Sequence, residues 1–209
     1  VRVFLLDFSK AFDLIDHNTL YYKLYEMNVP STFTNWVRSF LFERKQRVKM
    51  ANCVSNWQTL NGGVPQGTVL GPVLFLVMIN DLLIDRNNRW KYVDDSTITE
   101  SIIPDTNSIL QELVDIIYNW TIVNNMKLNI SKCKEMIKDF VKDKQYLPPL
   151  IINGVAVERV SSTRVLRLII QDNINWIEHV NNVVKKAGKR LYMLRVLKRS
   201  NADTDTLIT

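Results

Sequence analysis

Short apolar runs alternate with amphipathic segments along the chain, and two strand-like runs lead into acidic residues. Residues 3–6 are an apolar run ending at Asp7, which is typical of a buried strand with a carboxylate at its C-terminal end. Residues 90–96 predict a β-hairpin with Asp94 and Asp95 at its tip. Adjacent carboxylates repel each other, so this tip has two interpretations, turn chemistry or a site for a divalent cation.

Helical spacing of apolar residues predicts two helices early in the chain and a buried one after them. Residues 17–27 form the first, which Pro30 stops, and Ser31 is placed to cap the second. The expected apolar face of the second helix consists of Phe33, Trp36, Val37, Phe40 and Leu41. Residues 69–84 predict a buried helix, which Gly, Pro, Asn and Asp interrupt too often for a membrane span.

Two longer helices are predicted further along. Asp105 or Thr106 is placed to cap an amphipathic helix that reaches about residue 125. Its expected apolar face consists of Ile109, Leu110, Leu113, Ile116, Ile117 and Trp120. Residues 174–197 predict a basic amphipathic helix. We expect most of the five Trp residues to lie in the core, with Trp90 and Trp176 partly exposed.

The remaining segments predict strands and one shaped loop. Residues 44–50 and 57–60 are expected to pair, and the Gly- and Pro-containing stretch 61–68 is expected to form a loop of defined shape. The other predicted elements are a strand at 135–141, a hairpin at 150–155 turning at Asn153-Gly154, and an apolar strand at 165–170.

The order strand, helices, hairpin, helix, strand predicts an α+β fold with a ferredoxin-like split β-α-β core. In that order the strand ending at Asp7 lies beside the hairpin of Asp94 and Asp95. Three carboxylates at one sheet edge are suited to two divalent ions and to phosphoryl transfer, which requires positioning and charge neutralisation more than a nucleophile. His17 and His179 are too scattered for a triad, and we expect both at the surface or behind the site.

The formal charge of the 209-residue chain is +6 and its pI is about 9.3, which favours an anionic partner. Residues 185–199 contain seven Lys or Arg and no acid. This stretch is either an exposed helix face or an element that lies on phosphates. In the first case the helix packs through Val183, Val184, Leu191, Leu194 and Leu197. Cys53 and Cys133 have no metal-ligand spacing, and we expect reduced, intracellular thiols, with a single disulfide left open.

Three segments together resemble the palm of a reverse transcriptase, with the closest resemblance to non-LTR retrotransposons of the jockey type. They are residues 4–13 (FLLDFSKAFD), 63–72 (GVPQGTVLGP) and 92–95 (YVDD), in the family's order. The resemblance implies an RNA-directed DNA polymerase that uses an RNA template, a DNA primer and dNTPs. It also implies two Mg²⁺ ions, with Mn²⁺ as a possible substitute, and action in the nucleus.

The family's roles transfer to matching positions only. Asp7, Asp94 and Asp95 resemble the metal ligands, Phe8 and Phe12 the triphosphate-holding and ribose-sensing positions, and Gln66 and Gly67 the nucleotide loop. Lys132 or Lys134 resembles the lysine that protonates pyrophosphate, and Lys185, Lys186, Lys189 and Arg190 are placed to bind nucleic acid. Several of these roles compete with a simpler one, namely core packing for Phe12, loop structure for Gln66 and a solvated surface for the two lysines. Asp13 and Asp16 are expected to be cap and turn groups rather than metal ligands.

The resemblance predicts a palm at residues 1–147 without fingers, followed at 148–209 by a primer-grip-like hairpin and the start of a helical thumb. Residues 163–167 depart from the family because Arg167 stands where Gly is usual, and a side chain disfavours positive φ. Two rival hypotheses remain. One is an inactive decayed or co-opted fragment that binds nucleic acid, and the other is a metal-dependent nuclease.

Overall fold

The computed structural model describes residues 1–103, 106–140 and 145–200. Within these ranges the helices are α1 (His17–Glu26), α2 (Ser31–Leu41), α3 (Leu70–Met78), α4 (Leu110–Val123) and α5 (Ile177–Arg199). The strands are β1 (Arg2–Leu6), β2 (Lys45–Gln46), β3 (Lys49–Met50), β4 (Cys53–Val54), β5 (Gln58–Thr59), β6 (Arg89–Tyr92), β7 (Asp95–Glu100), β8 (Lys134–Ile137), β9 (Ile151–Ile152), β10 (Val155–Ala156), β11 (Glu158–Arg159), β12 (Ser162–Val165) and β13 (Leu168–Gln171). This mixture confirms the predicted α+β class.

The central sheet has the strand order β11-β8-β1-β7-β6. β1 pairs antiparallel with both β7 and β8, and β11 adds a parallel edge beside β8. β1 is therefore an interior strand whose C-terminal end lies next to the β6–β7 hairpin, as the order of elements predicted. Along β1, buried and half-buried residues alternate, because successive side chains point to opposite faces of a sheet.

The hydrophobic core lies between one face of this sheet and the helices α1, α3 and α4. Phe4 of β1, Leu20 of α1, Phe75 of α3 and Ile117 of α4 are each 0% exposed. Burial of such side chains contributes roughly 1.5–3 kcal/mol each. The apolar periodicity of the sequence therefore places these four elements correctly.

A charged network is buried on the same face of the sheet as Phe4, around Arg2 at the start of β1. The Arg2 Nε donates to Glu135 Oε1 at 2.6 Å, and both side chains are almost fully buried, at 2% and 0% exposure. Arg159 Nε also donates to Glu135 Oε2, at 3.1 Å, and an Arg2 guanidinium nitrogen donates to Ser108 Oγ at 2.9 Å. Because each charge has partners, the network joins β1, β8 and β11.

Two helix predictions need correction near the beginning of the chain. Ser31 is the first residue of α2 rather than its cap; Pro30 holds that position and forms no side-chain capping bond. On α2 only Val37 and Leu41 are buried, so the predicted apolar face is narrower than its spacing suggested. α3 ends at Met78 rather than at residue 84, and the residues that follow form successive turns instead of continuing the helix.

The start of α4 also differs from its prediction. The helix begins at Leu110, and the Glu100 carboxylate accepts a 2.6 Å hydrogen bond from the Ile109 amide in place of a local cap. The Thr106 hydroxyl instead donates to the Ile103 carbonyl, at 2.7 Å, and Asp105 lies outside the described residues. β8 ends at Ile137, and residue 141 of the predicted strand is also outside the described part.

The segment 165–170 was predicted as one strand, but it contains the turn of a hairpin. β12 pairs antiparallel with β13, and Val165 faces Leu168 across a two-residue turn. The turn residues Leu166 and Arg167 have φ values of 46° and 72°, so Arg167 adopts the left-handed conformation despite its side chain. The predicted hairpin at Asn153-Gly154 is confirmed as β9–β10.

Several apolar residues predicted to be buried are exposed. None of the residues of α5 is buried, which contradicts packing through Val183 and its neighbours. Four of the five Trp side chains are also about half exposed or more, at 55% for Trp36, 57% for Trp57, 55% for Trp90 and 49% for Trp176. The prediction that most Trp residues lie in the core is therefore wrong. Within the described ranges, no helix has the length and apolar character needed to span a membrane.

Candidate active site

Strand pairing brings together the three aspartates that are far apart in sequence. Asp7 directly follows β1, Asp94 lies in the turn of the β6–β7 hairpin, and Asp95 opens β7. Leu6 pairs with Ser96, so Asp7 continues β1 alongside Asp95. Asp95 itself pairs with Tyr92, so only Asp94 of the two adjacent aspartates lies in the turn proper.

The three carboxylates interact electrostatically. Burial raises the pKa of Asp7 above its usual range, with a further increase from the charge of Asp94, while Lys132 acts in the opposite direction. Burial likewise raises the pKa of Asp95, and the charges of Asp94 and Asp7 add to this effect. These shifts have the sign expected when like charges share a partly desolvated site.

The donor chemistry at this sheet edge fits a divalent cation. Carboxylate oxygens are ligands that Mg²⁺ prefers, and a bound cation would offset the repulsion among the three charges. In the described part of the chain, no group of three or more His, Cys, Asp or Glu side chains is spaced for metal binding. Asp7, Asp94 and Asp95 are thus neighbours that do not form a closed coordination set.

Two cations of β6, which sequence reasoning did not identify, fix the position of the hairpin. Lys91 Nζ donates to the backbone carbonyls of Ile79, at 2.7 Å, and Asn80, at 2.8 Å, just beyond the end of α3. Arg89 donates to the carbonyl of Ile84 at 3.0 Å. Burial and the nearby Arg89 lower the pKa of Lys91 to about 8. In the sequence, the only sign of these contacts was the alternation of basic and aromatic residues at positions 89–92.

The structure separates the roles of the two candidate lysines. The charge of Lys132 acts on Asp7, whereas Lys134 forms an ion pair with Glu158. Both lysines border a cleft of about 100 Å³ next to the carboxylates. The other charged side chains lining this cleft are Asp7, Asp95 and Arg164. Arg164 belongs to β12, so the hairpin predicted to resemble a primer grip lies against the carboxylates.

Phe8 and Phe12 both pack in or against the core. Phe8 is 6% exposed and lies edge-on to Phe75, and the Phe12 ring stacks on Phe75 with centroids 5.0 Å apart. Phe8 faces Leu128 across an isolated bridge. The hydrogen bonds of that bridge use the Asp7 carbonyl and the Ser9 amide, so the amide of Phe8 takes no part in them.

The Gly- and Pro-containing loop is held against the segment after Asp7. Gln66 Nε2 donates to Asp13 Oδ1 at 3.0 Å, and His17 Nε2 lies 2.8 Å from the carbonyl oxygen of Gly63. Gly67 has a φ of 78° and nothing lies near the position of a Cβ, so its backbone is open to a ligand. Asp16 caps α1 by accepting from the Thr19 amide at 2.7 Å, as predicted.

The remaining candidates do not line the carboxylate cleft. Lys185, Lys186, Lys189 and Arg190 are exposed on α5. His179 of α5 accepts a hydrogen bond from the Ile169 amide through Nδ1, at 3.3 Å. Cys53 is exposed and Cys133 is buried, and both are free, so the disulfide alternative is not realised. Burial raises the pKa of the Cys133 thiol to about 11.

Comparison with known proteins agrees with the class that the fold and the carboxylates indicate. The family model described as reverse transcriptase (RNA-dependent DNA polymerase) matches residues 2–182, and the chain belongs to this family. The chain is 28% identical over 190 residues to the RNA-directed DNA polymerase from mobile element jockey of Drosophila melanogaster, covering 85% of this chain and 20% of that protein.

Two other relatives give the same result. The jockey polymerase of Drosophila funebris is 28% identical over 191 residues, with 85% and 20% of the two chains covered. The probable RNA-directed DNA polymerase from transposon X-element of Drosophila melanogaster is 24% identical over 186 residues, with the same coverage. The chain therefore spans about a fifth of the length of these curated relatives.

Proposed function

We propose that this chain is the palm and the start of the thumb of an RNA-directed DNA polymerase from a non-LTR mobile element. It would join a dNTP to the 3′-OH of a DNA primer on an RNA template, with release of pyrophosphate. The observation that carries the proposal is the register of β1 against β7, which sets Asp7 beside Asp94 and Asp95. Residues 1–147 form the proposed palm, and residues 148–209 carry the primer-positioning hairpin and the thumb.

In this proposal Asp7, Asp94 and Asp95 would hold two Mg²⁺ ions. When bound, the ions supply positive charge at the attacking and leaving oxygens of the phosphoryl group. The amide of Phe8, which the bridge to Leu128 leaves unused, would donate to the triphosphate.

Two other groups have proposed roles in the same reaction. Lys132, whose charge acts on Asp7, would donate a proton to the pyrophosphate. Phe12, stacked on Phe75, presents a fixed ring that would exclude a ribose 2′-OH.

The hairpin of β12 and β13 is the proposed primer-positioning element. Arg164 of this hairpin lines the carboxylate cleft, and its turn keeps a left-handed Arg167 with a φ of 72°. A residue other than Gly or Asn in this conformation is uncommon and costs free energy. The exposed cations of α5 follow the hairpin and would lie along nucleic-acid phosphates, in a salt-sensitive manner.

A second candidate function is nucleic-acid binding without polymerisation, and the spacing of the carboxylates favours it. As placed, the three aspartates do not form a metal-binding set among the described residues. Calorimetry with Mg²⁺ or Mn²⁺ separates the candidates. The polymerase proposal predicts binding by the chain and loss of binding in Asp7→Asn, whereas equal heats for the two proteins would support the second candidate.

Primer extension tests the proposed reaction directly. The longest protein that carries this chain is supplied with an RNA template, a DNA primer, dNTPs and Mg²⁺. We expect Asp94→Ala to reduce the extension rate by roughly 10² or more, since it removes charge stabilisation of the transition state. Asp85→Ala is the matched control, an exposed aspartate in the loop before the same hairpin. Full extension by Asp94→Ala would refute the mechanism.

A further inference from the structure

The segment of α2 and the small strands after it carries aromatic side chains that the core does not use. Trp36 is 55% exposed and Trp57 is 57% exposed. The Trp36 ring stacks on Phe40, with centroids 6.2 Å apart and planes 21° apart. Large flat side chains left half in solvent are typical of binding surfaces. None of these aromatic residues lines the carboxylate cleft or has a role in the proposed chemistry.

Cations lie directly over these rings. The Arg47 guanidinium carbon is 4.5 Å from the centroid of Trp57, and that of Arg44 is 5.6 Å from the centroid of Phe40. The pairing of β2 with β5 explains the contact between Arg47 and Trp57. Gln46 faces Gln58, and the antiparallel register places the next residue after Gln46 opposite the residue before Gln58. We define the aromatic-basic surface as Trp36, Phe40, Arg44, Arg47 and Trp57.

The charge of this region favours an anionic partner. Residues 31–60 contain five Lys or Arg residues and a single acid, Glu43. In the described part of the chain, none of these cations forms an ion pair. Their charges are therefore available to phosphates, and Arg donors suit phosphate oxygens by geometry.

We propose that the aromatic-basic surface binds single-stranded RNA, with bases stacked on Trp57 and the Trp36–Phe40 pair and phosphates contacting Arg44 and Arg47. Alternating rings and cations match the combination that holds single strands without sequence preference. Bases in a duplex are already stacked on one another, so the surface discriminates against double-stranded RNA. This inference rests on the proposed function, because RNA is the template class of that reaction.

The test is fluorescence anisotropy of the 209-residue chain with a labelled 12-nucleotide RNA, without dNTP or metal. We expect Trp57→Ala to weaken binding by about fivefold to a hundredfold, the range for loss of one stacked base. Phe140→Ala is the matched control, since Phe140 is 71% exposed and lies under Lys138 in a similar cation–π pair. The same RNA annealed to its complement should bind more weakly, with no dependence on Trp57.

Salt dependence separates the contribution of phosphate contacts from that of base stacking. Arg47→Ala should lower the slope of log affinity against log salt by about 0.7, the value per phosphate for single strands, whereas Trp57→Ala should leave the slope unchanged. Arg47→Lys should keep the slope. This checks that the smaller slope of Arg47→Ala comes from loss of the charge and not from unfolding.

Equal affinity of the chain, Trp57→Ala and Phe140→Ala for the single strand would overturn the proposal and assign this surface to a protein partner. The assay does not use the carboxylates. Its failure would leave the polymerase proposal standing, and full primer extension by Asp94→Ala would refute the polymerase proposal while leaving RNA binding intact.

Discussion

Lys91 Nζ donates a 2.7 Å hydrogen bond to the carbonyl oxygen of Ile79, and this contact ties the strand leading to Asp94 to the end of α3. The terminal carbonyls of a helix lack partners within the helix, so a cation there satisfies them and interacts favourably with the helix dipole. The position of the turn that carries Asp94 therefore depends on Lys91, which lies outside the YVDD segment of residues 92–95.

Lys91 should make the stability of the chain depend on pH in the alkaline range. Its pKa in the folded chain is about 8, below the usual 10.5 of a free lysine. Between these values the unfolded state binds more protons, so the free energy of unfolding should rise from pH 8 to pH 10.5. Urea unfolding at several pH values should show a flatter dependence in Lys91→Met and no such change in Lys186→Met, which alters an exposed lysine.

The Arg2–Glu135 pair should be costly to break on one side. Arg2→Met leaves a carboxylate that is 0% exposed and that, among the described residues, has Arg159 as its one remaining charged partner, and we expect a loss of roughly 3–5 kcal/mol. The double variant Arg2→Met/Glu135→Met should recover much of that loss, because it removes the buried charges together. Urea midpoints measure both effects. A double variant as unstable as the single one would show that packing, not charge, dominates.

Gly71 and Gly188 are both helix glycines, but only Gly71 lies against the Gly- and Pro-containing loop, so they form a matched pair. A Cβ at Gly71 would overlap the backbone carbonyl of Pro65, which cannot move away easily, so Gly71→Ala should destabilise by about 1–3 kcal/mol. Gly188 lies in the middle of α5 with open space around it, and Gly188→Ala should stabilise by about 0.5–1 kcal/mol. Thermal unfolding of the two variants should therefore shift in opposite directions.

Repulsion at the carboxylate site should be visible without metal. Asp94→Asn removes a charge that acts on Asp7 and Asp95, and we expect a gain of roughly 0.2–1 kcal/mol in the metal-free chain, the scale of exposed charge interactions. Added Mg²⁺ should raise the melting temperature of the unsubstituted chain but not that of the variant. Asp85→Asn should leave both values unchanged, and an equal Mg²⁺ response in Asp94→Asn would place metal binding elsewhere.

The two lysines of the cleft should differ in primer extension. Lys132→Ala removes the cation that acts on Asp7, and we expect the rate of nucleotide addition to fall by roughly 10²–10⁴, the usual contribution of a general acid. Lys134→Ala removes the ion pair with the exposed Glu158 and a 3.3 Å hydrogen bond to the Ser131 carbonyl, at a stability cost of about 1 kcal/mol or less. Rapid-quench measurements of single additions compare the two, and equal losses would contradict the separate roles.

The sequence by itself determined the features that depend on local periodicity and turn chemistry. The apolar run before Asp7, the alternation around Asp94 and the Asn153-Gly154 turn each lie within a few residues, so strand and hairpin were readable from them. The order of those elements was then sufficient to place Asp7 beside the hairpin, and the β1–β7 register confirms it.

Only the tertiary structure decided which surfaces are covered and which polar groups meet. Helical spacing marked α2 as apolar on one side, but within the described ranges no element packs over Trp36, and pairing with β5 leaves Trp57 in solvent under Arg47. The same holds for the assignment of Lys132 to Asp7 and of Lys91 to α3, which join residues distant in the chain. A periodic pattern specifies an apolar face, whereas burial and partner choice depend on long-range packing that no local pattern encodes.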